Sequence, residues 1–140
     1  MKNILKMTFL LVFLYAINIH AQNSVTKSEI KTTLTKLFDL CKTKNYAEAS
    51  AYFAYEGKDA AGNRRVSFNY AEKSEKKAVK RKCKKIKAYL DLSDSYEYGD
   101  FNSSDSKAEM NVIFKSGDQE LKITFSFTKA ENKILLTDFK

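Results

Sequence analysis

Apolar positions in the first half of the chain follow the spacing of a helix. Within residues 28–44 they lie three and four positions apart, at Ile30, Leu34, Leu37, Phe38 and Cys41. This spacing forms one apolar stripe and predicts an amphipathic helix. A second, shorter helix is predicted over residues 46–55, and turn-forming residues at 57–63 predict a loop after it.

A third and longer helix is predicted over residues 70–92, with Asn69 as its N-cap. Its first turns carry Glu72 and Glu75, where negative charge favours the helix dipole. Its core stripe is expected at Val79, Cys83, Ile86 and Leu90. Residues 65–68 are expected to form a short strand or an extended lead-in to this helix.

After the third helix the apolar period changes from about 3.6 to two. Strands are predicted over residues 96–101, 107–115, 120–128 and 134–139. Alternation is regular in the middle pair, whose inward positions are Ala108, Met110, Val112 and Phe114, then Leu121, Ile123, Phe125 and Phe127. Polar residues occupy the other face, so we expect an antiparallel sheet with one buried side. The predicted fold class is α+β, with N-terminal helices and one long helix packed on a curved antiparallel sheet of four to five strands.

The first 21 residues have the features of a signal peptide. Lys2 and Lys6 flank an apolar stretch at residues 7–17, which is too short to span a bilayer, and Ala21 provides a small residue for cleavage before Gln22. An uncleaved N-terminal anchor is the alternative. We therefore expect a secreted or periplasmic protein, and the lack of a cysteine at the cleavage point argues against a lipoprotein.

Removal of this segment changes the chemistry that the chain can perform. Residues 22–140 keep 23 basic and 17 acidic side chains, a net charge of +6, and contain no histidine. Serine–histidine and cysteine–histidine nucleophile pairs are therefore excluded, together with the commonest metal ligand. The length predicts a single domain over residues 22–140.

Two cysteines, Cys41 and Cys83, remain in the processed chain. Each lies on the apolar side of its predicted helix. In an oxidising compartment an even count favours a disulfide bond, and the alternative is that both are small buried apolar side chains.

The order of elements resembles the nuclear transport factor 2-like (NTF2-like) superfamily, also called cystatin-like, and in particular its short secreted lumazine-binding-like members. The resemblance is carried by Leu37 and Phe38, by residues 45–49, by residues 112–117 and by residues 134–139. It implies a curved sheet wrapped around the third helix, with a pocket, here called the cone, between the concave face and the helices. It specifies the fold far better than the function.

Aromatic side chains are the candidate walls of this cone, because rings bind flat apolar ligands well. The candidates are Tyr52, Phe53, Tyr55, Tyr89, Phe114, Phe125 and Phe127. The alternative is that they simply form the core.

Family enzymes such as ketosteroid isomerase use carboxylates and tyrosines inside the cone. The candidates here are Asp100 and Asp138 at strand ends, and Asp138 shares the parity of Leu136, which would direct it inward. The alternative is that both carboxylates lie in solvent. The acids at residues 91, 94, 97 and 100 recur every three residues and Asp105 follows after five, which is not the spacing of a calcium loop, so neither a metal nor another cofactor is predicted.

The third helix carries a dense run of positive charge. On a helical wheel six side chains form a cationic flank beside the core stripe: Lys73, Lys77, Lys80, Arg81, Lys84 and Lys87. Like charges three or four residues apart repel by about 0.2–0.5 kcal/mol per pair. The chain's own acids, an acidic partner or a polyanionic surface would relieve this repulsion, and a solvated face is the alternative. Nucleic acid fits poorly, because the flank has no interleaved aromatic residues.

These observations favour a non-catalytic binding module, which takes either a small apolar ligand in the cone or an acidic partner on the third helix. One alternative is an isomerase or lyase that uses a carboxylate in the cone. Another is an interaction or immunity-type protein that neutralises another protein.

Overall fold

The computed structural model describes residues 24–58 and 61–140, so the predicted signal peptide lies outside the described residues. Within them the chain forms three α-helices followed by four strands. The helices are α1 (Lys27–Lys42), α2 (Tyr46–Ala49), which continues as a 3-10 turn (Ser50–Tyr52), and α3 (Lys73–Asp91). The strands are β1 (Ser95–Ser104), β2 (Lys107–Ser116), β3 (Gln119–Ala130) and β4 (Lys133–Phe139).

The predicted α+β class is confirmed. The strands form one antiparallel sheet in the order β1-β2-β3-β4, and the helices pack on its concave face. Helix α1 begins with a capping box between Thr26 and Glu29, and its predicted stripe is buried. Among the described helices none is long and apolar enough to cross a membrane.

The second helix is shorter than predicted. It ends at Ala49, the 3-10 turn ends at Tyr52, and Phe53 is extended and forms a parallel bridge with Leu136 of β4. Antiparallel bridges then join Ala54 to Ser67 and Lys58 to Arg64, and residues 53–58 and 61–68 are together called the hairpin here. Pairing with β4 explains why the helix ends earlier than predicted, because the backbone after residue 52 forms hydrogen bonds with β4 instead of within a helix.

Helix α3 begins at Lys73, three residues later than predicted. Asn69 does not cap the helix; its side-chain oxygen accepts a hydrogen bond from the backbone N–H of Ala71 and so stabilises a turn before it. Of the predicted core stripe, Val79, Cys83 and Ile86 are fully buried, whereas Leu90 is partly buried against the core.

Alternation along β2 and β3 is as predicted except at one end of the sheet. Met110, Val112, Phe125 and Phe127 are buried beneath the helices. Leu121 was expected among them, but it is 48% exposed because it lies at the start of β3, where the helices do not cover the sheet.

A disulfide bond joins Cys41 of α1 to Cys83 of α3, with the two Cα atoms 4.8 Å apart. Both cysteines are completely buried. The bond ties the two main helices together at the centre of the core, across 42 residues of sequence.

Candidate functional site

The interior of the cone is filled by rings. Phe38 of α1 lies 5.5 Å from Phe125 and 5.3 Å from Tyr96, measured between ring centroids, and Phe125 stacks on Phe139 at 5.5 Å. Phe53, Phe114 and Phe125 are at most 3% exposed. These three predicted pocket residues are therefore core residues, because the opposing rings occupy the space that a ligand would need.

The other four candidates lie at separate places. Tyr89 is half-buried against Phe114 and Phe139. Tyr52 borders a cavity of about 640 Å³ between α1 and the β3–β4 turn. Tyr55 and Phe127 border a second cavity of about 430 Å³, beside the hairpin. The structure does not bring the seven predicted residues together around one pocket.

Asp100 lies on the outer face of the sheet. The β1–β2 register shifts between Tyr98 and Phe101, so Gly99 and Asp100 occupy a bulge. The Asp100 carboxylate is 3.4 Å from the Asn111 amide nitrogen and 3.5 Å from the Lys122 ammonium. It is exposed and does not enter the cone, and among residues 24–58 and 61–140 no three carboxylate or thiol groups cluster as metal ligands would.

Asp138 also points to solvent, against the inward direction that its parity suggested. The β3–β4 register shifts by one residue, so that Phe127 pairs with Leu136 whereas Ser126 pairs with Asp138. Thr137 is the extra residue, and its hydroxyl donates to the Ser126 carbonyl at 2.9 Å. The bulge reverses the alternation, which turns Phe139 inward and Asp138 outward.

A buried ion pair joins the hairpin to the first turn of α3. Arg65 holds both oxygens of Glu75, with Nη2 at 2.6 Å from Oε1 and Nη1 at 3.2 Å from Oε2. The Asn69 backbone N–H donates to Oε2 at 2.6 Å. The guanidinium lies 4.6 Å from the centroid of the Tyr55 ring. Glu75 is only 6% exposed, so the carboxylate is part of the core boundary.

The environment of Glu75 acts on its pKa in two directions. Burial is the largest influence and raises the pKa, whereas the hydrogen bonds from Arg65 and Asn69 lower it. The hydrogen bonds prevail, and the pKa lies below its ordinary value. Sequence reasoning assigned Glu75 to the helix dipole and missed the pair, because nothing in the local pattern connects it to Arg65.

The cavity beside the hairpin lies on the outer side of the sheet. Its wall includes Lys107, Glu109, Ser126 and Thr128, which alternate with the buried Ala108 and Phe127. Arg64, Arg65 and Glu56 form the hairpin side. Basic and acidic side chains therefore face the same space, which is distinct from the filled cone.

The predicted cationic flank divides into engaged and free side chains. Lys87 forms an ion pair with Asp91, and the Lys80 ammonium lies 5.9 Å from the centroid of the Tyr46 ring. The other four members are exposed and have no carboxylate partner in the described part of the chain: Lys73, Lys77, Arg81 and Lys84. We call these four the cationic row.

The chain's own acids were one of three candidates for relieving the repulsion along the row, and four acids that follow α3 in the sequence have other partners. Glu97 and Glu120 both pair with Lys115, Asp100 pairs with Lys122, and the Asp94 carboxylate accepts from the Gly117 backbone N–H. Within the described residues the protein's own carboxylates therefore leave the repulsion along the row in place.

Lys82 lies on the opposite flank of α3 and was not singled out by the sequence. Its Nζ is 3.4 Å from the Thr137 carbonyl and 5.6 Å from the centroid of the Phe53 ring. Burial lowers the pKa of its ammonium, and the nearby Asp138 carboxylate opposes this. Lys82 covers the edge of the core, and it contributes nothing to the row.

Comparisons with protein-family profiles and with curated proteins found no match. Among solved structures, the chain is similar to a de novo designed protein of NTF2 fold, NT-9. That similarity has a TM-score of 0.55 and 10% identity, over 81% of this chain and 85% of the other. It is also similar to a Campylobacter jejuni protein assigned to the NTF2-like transpeptidases, with a TM-score of 0.48 and 12% identity, over 81% of this chain and 99% of the other.

Sequence identities this low support a similarity of fold alone. The three helices, the curved antiparallel sheet and the similarity to the designed protein agree with the fold that the order of elements indicated. The narrower resemblance to lumazine-binding-like members stays a prediction. The chain therefore has an NTF2-like fold.

Proposed function

We propose that this protein is a non-catalytic binding module that presents the cationic row of α3 to an acidic polypeptide partner. One observation carries the proposal: four exposed cations lie on one line of a rigid helix, without a carboxylate partner in the described part of the chain. Each like-charged neighbour at this spacing costs about 0.2–0.5 kcal/mol, and a complementary partner would recover that cost.

The buried side of α3 holds the row in a fixed position. Val79, Cys83 and Ile86 on the opposite side of the helix are completely buried, and Cys83 is bonded to α1. A surface held in this way does not have to be ordered when a partner arrives, which favours affinity.

A polyglutamate peptide is a suitable first probe, because it carries the required charge and no other recognition. We expect fluorescence anisotropy of the labelled peptide to detect binding that weakens as salt rises from about 50 to about 300 mM. Reversal of Lys77, Arg81 and Lys84 to glutamate should abolish it.

The matched control reverses Lys58, Lys107 and Lys133, which are exposed and lie away from α3. This variant has the same net charge as the row variant. Equal loss of binding in both variants would mean that net charge alone attracts the peptide, and the proposal would be wrong.

A small ligand is the second candidate, and it requires a space other than the filled cone. The cavity of about 640 Å³ beside Tyr52 supports it, since ligand sites commonly have volumes of about 300–1,000 Å³. Apolar metabolites that raise the melting temperature of the wild-type protein, but not of a Tyr52→Ala variant, would support this reading. An isomerase or lyase finds no support in Asp100 or Asp138, whose carboxylates are exposed.

We also propose that the domain works outside the cytoplasm. The apolar leader sequence at residues 1–21 and the disulfide bond between Cys41 and Cys83 support this location. An immunity-type role, in which the row neutralises an acidic protein, is one form of the same proposal.

A further inference from the structure

We infer that the cationic row continues into an apolar patch, formed by Leu92, Tyr96 and Leu121, and that the acidic partner is an amphipathic polypeptide segment that covers both. This inference rests on the proposed function, since it names the kind of partner that the row would bind. The row supplies the charge attraction, and the patch supplies an apolar anchor.

The row and the patch follow one line on the helix surface. From Lys73 the exposed positions step by four, four, three, four and four residues, through the row to Ala88 and then to Leu92. At about 100° per residue these steps stay on one side of a helix. Leu92 directly follows α3 as its C-cap, and its side chain is 77% exposed.

The sheet brings the other two members to the same end of the molecule. Tyr96 pairs with Phe114 across β1 and β2, and Phe114 pairs with Leu121 across β2 and β3. Tyr96 is 36% exposed and Leu121 is 48% exposed. In the part of the chain that the structure describes, these are the large apolar side chains with the greatest exposure, together with Leu92.

Their grouping is informative, because single exposed apolar residues are common whereas a group of them marks an interaction surface. The buried Phe114 lies between Tyr96 and Leu121 in the sheet, and its ring centroid is 6.0 Å from that of Tyr96. The sheet therefore holds Tyr96 and Leu121 in fixed positions.

Acidic side chains surround the patch, but they form ion pairs with lysines. Asp91 pairs with Lys87, and Glu97 and Glu120 pair with Lys115. These three acids and two lysines form a polar rim with a net charge of −1, and a polar rim is the usual surrounding of an apolar interface centre. The row supplies positive charge, so an acidic segment would be attracted there and would extend its apolar end onto the patch.

The dimensions suit a helical segment. The line from Lys73 to Leu92 covers 19 residue steps, or about 28 Å at about 1.5 Å per residue. A partner helix of about five turns would match it, with carboxylates at spacings of three and four residues and leucine-sized residues at one end.

A lipid surface fits less well, although it also combines anions with apolar groups. A helix that lies on a membrane carries apolar residues along its whole length, whereas the apolar face of α3 is buried in the core. Here charge and apolar surface follow each other along one line, which suits a polypeptide with an acidic and an apolar part.

Two labelled peptides of about 20 residues test the inference. The first alternates glutamate and alanine in a helical pattern, and the second is identical except that leucine replaces three alanines at one end. We expect the intact protein to bind the leucine peptide about tenfold more tightly. A Leu92→Ser/Leu121→Ser variant should lose this preference and keep its affinity for the alanine peptide, which also verifies that the variant is folded.

The outcomes separate this inference from the proposed function. If both peptides bind equally, or if the variant keeps the preference, the apolar patch is not part of the site and only this inference fails. If neither peptide binds, or if reversal of the row leaves binding unchanged, the proposed function fails as well. Tighter binding of phosphatidylglycerol vesicles through the same residues would overturn the polypeptide partner in favour of a membrane surface.

Discussion

Arg65 and Glu75 form a two-point ion pair, with nitrogen-to-oxygen distances of 2.6 and 3.2 Å, that fastens the hairpin to the first turn of α3. The pair lies beside the core, and its acid is 6% exposed. A buried pair contributes little net stability compared with a well-packed apolar pair, but the loss of one partner is costly because the other charge is left without compensation.

We therefore expect Glu75→Gln to lower the free energy of unfolding at pH 7 by about 2–3 kcal/mol, measured by urea denaturation. The glutamine keeps the size of the side chain and an acceptor for the Asn69 N–H, so the loss reports on the charge. Glu97→Gln is the control, since its ion pair with Lys115 is exposed and should contribute less than about 1 kcal/mol. Equal effects of the two substitutions would contradict the role given to Glu75.

Glu75 should also make the stability of the protein depend on pH. The folded-state pKa of Glu75 lies below its ordinary value of 4.5, so its contribution is complete above that value and is lost as the pH falls through the folded-state pKa. The stability difference between the wild type and Glu75→Gln should therefore shrink on acidification below about pH 4.5. A difference that stays constant down to pH 2 would contradict this assignment.

The disulfide bond should make a large contribution to stability. A loop closed across about 40 residues restricts the unfolded chain, and such bonds typically contribute about 2–4 kcal/mol. We expect the Cys41→Ala/Cys83→Ala variant to unfold at lower urea concentration than the wild type. Treatment with a reductant should lower the stability of the wild type and leave that of the variant unchanged.

The filled cone predicts a contrast between two positions of β3. Phe125 is completely buried between Phe38 and Phe139, and its replacement by alanine should cost about 3–5 kcal/mol. Leu121→Ala, on the same face of the same strand, should cost less than about 1 kcal/mol because the side chain is half-exposed. Thermal or urea denaturation of the two variants measures the difference, and similar losses would contradict the packing described.

The signal peptide predicted at residues 1–21 should be removed by cleavage. When the full chain is expressed in a bacterium with an intact secretion system, mass spectrometry of the exported protein should find Gln22 as its first residue. An exported or membrane-bound product that keeps residues 1–21 would favour the uncleaved anchor instead.

Much of the fold follows from local patterns. The stripe of α1 and the alternation of β2 and β3 predicted both the elements and their buried faces, because each pattern repeats over several turns or residue pairs. The end of α2 was predicted too late, since the pairing of Phe53 with Leu136 joins residues far apart in sequence. A pattern confined to one segment contains no information on such a partner.

The candidate site was harder to predict from the sequence, because it also depends on contacts between residues far apart in the chain. The exposure of the cationic row followed from the helical wheel, but the engagement of Lys80 by Tyr46 and the ion pair of Arg65 with Glu75 depend on tertiary contacts. The outward direction of Asp138 depends on a register shift with β3. A pocket lined by aromatic side chains and a core filled by them also have the same amino-acid composition. Which of the two forms depends on how the helices pack against the sheet, and that is seen only in the folded structure.

The extra residue in β4 has a consequence for how this chain could change. Because Thr137 is the extra residue, Thr137 and Asp138 both lie opposite Ser126, which leaves Asp138 outside and Phe139 inside. If β4 paired with β3 in regular alternation and without the bulge, Thr137 would stand opposite Ser126 and Asp138 opposite Phe125, so Asp138 would face the apolar interior and Phe139 would be directed to solvent. A one-residue change of register would thus give the same sequence an interior carboxylate, so the choice between a packed core and an acid-bearing pocket is set by strand register more than by side-chain identity.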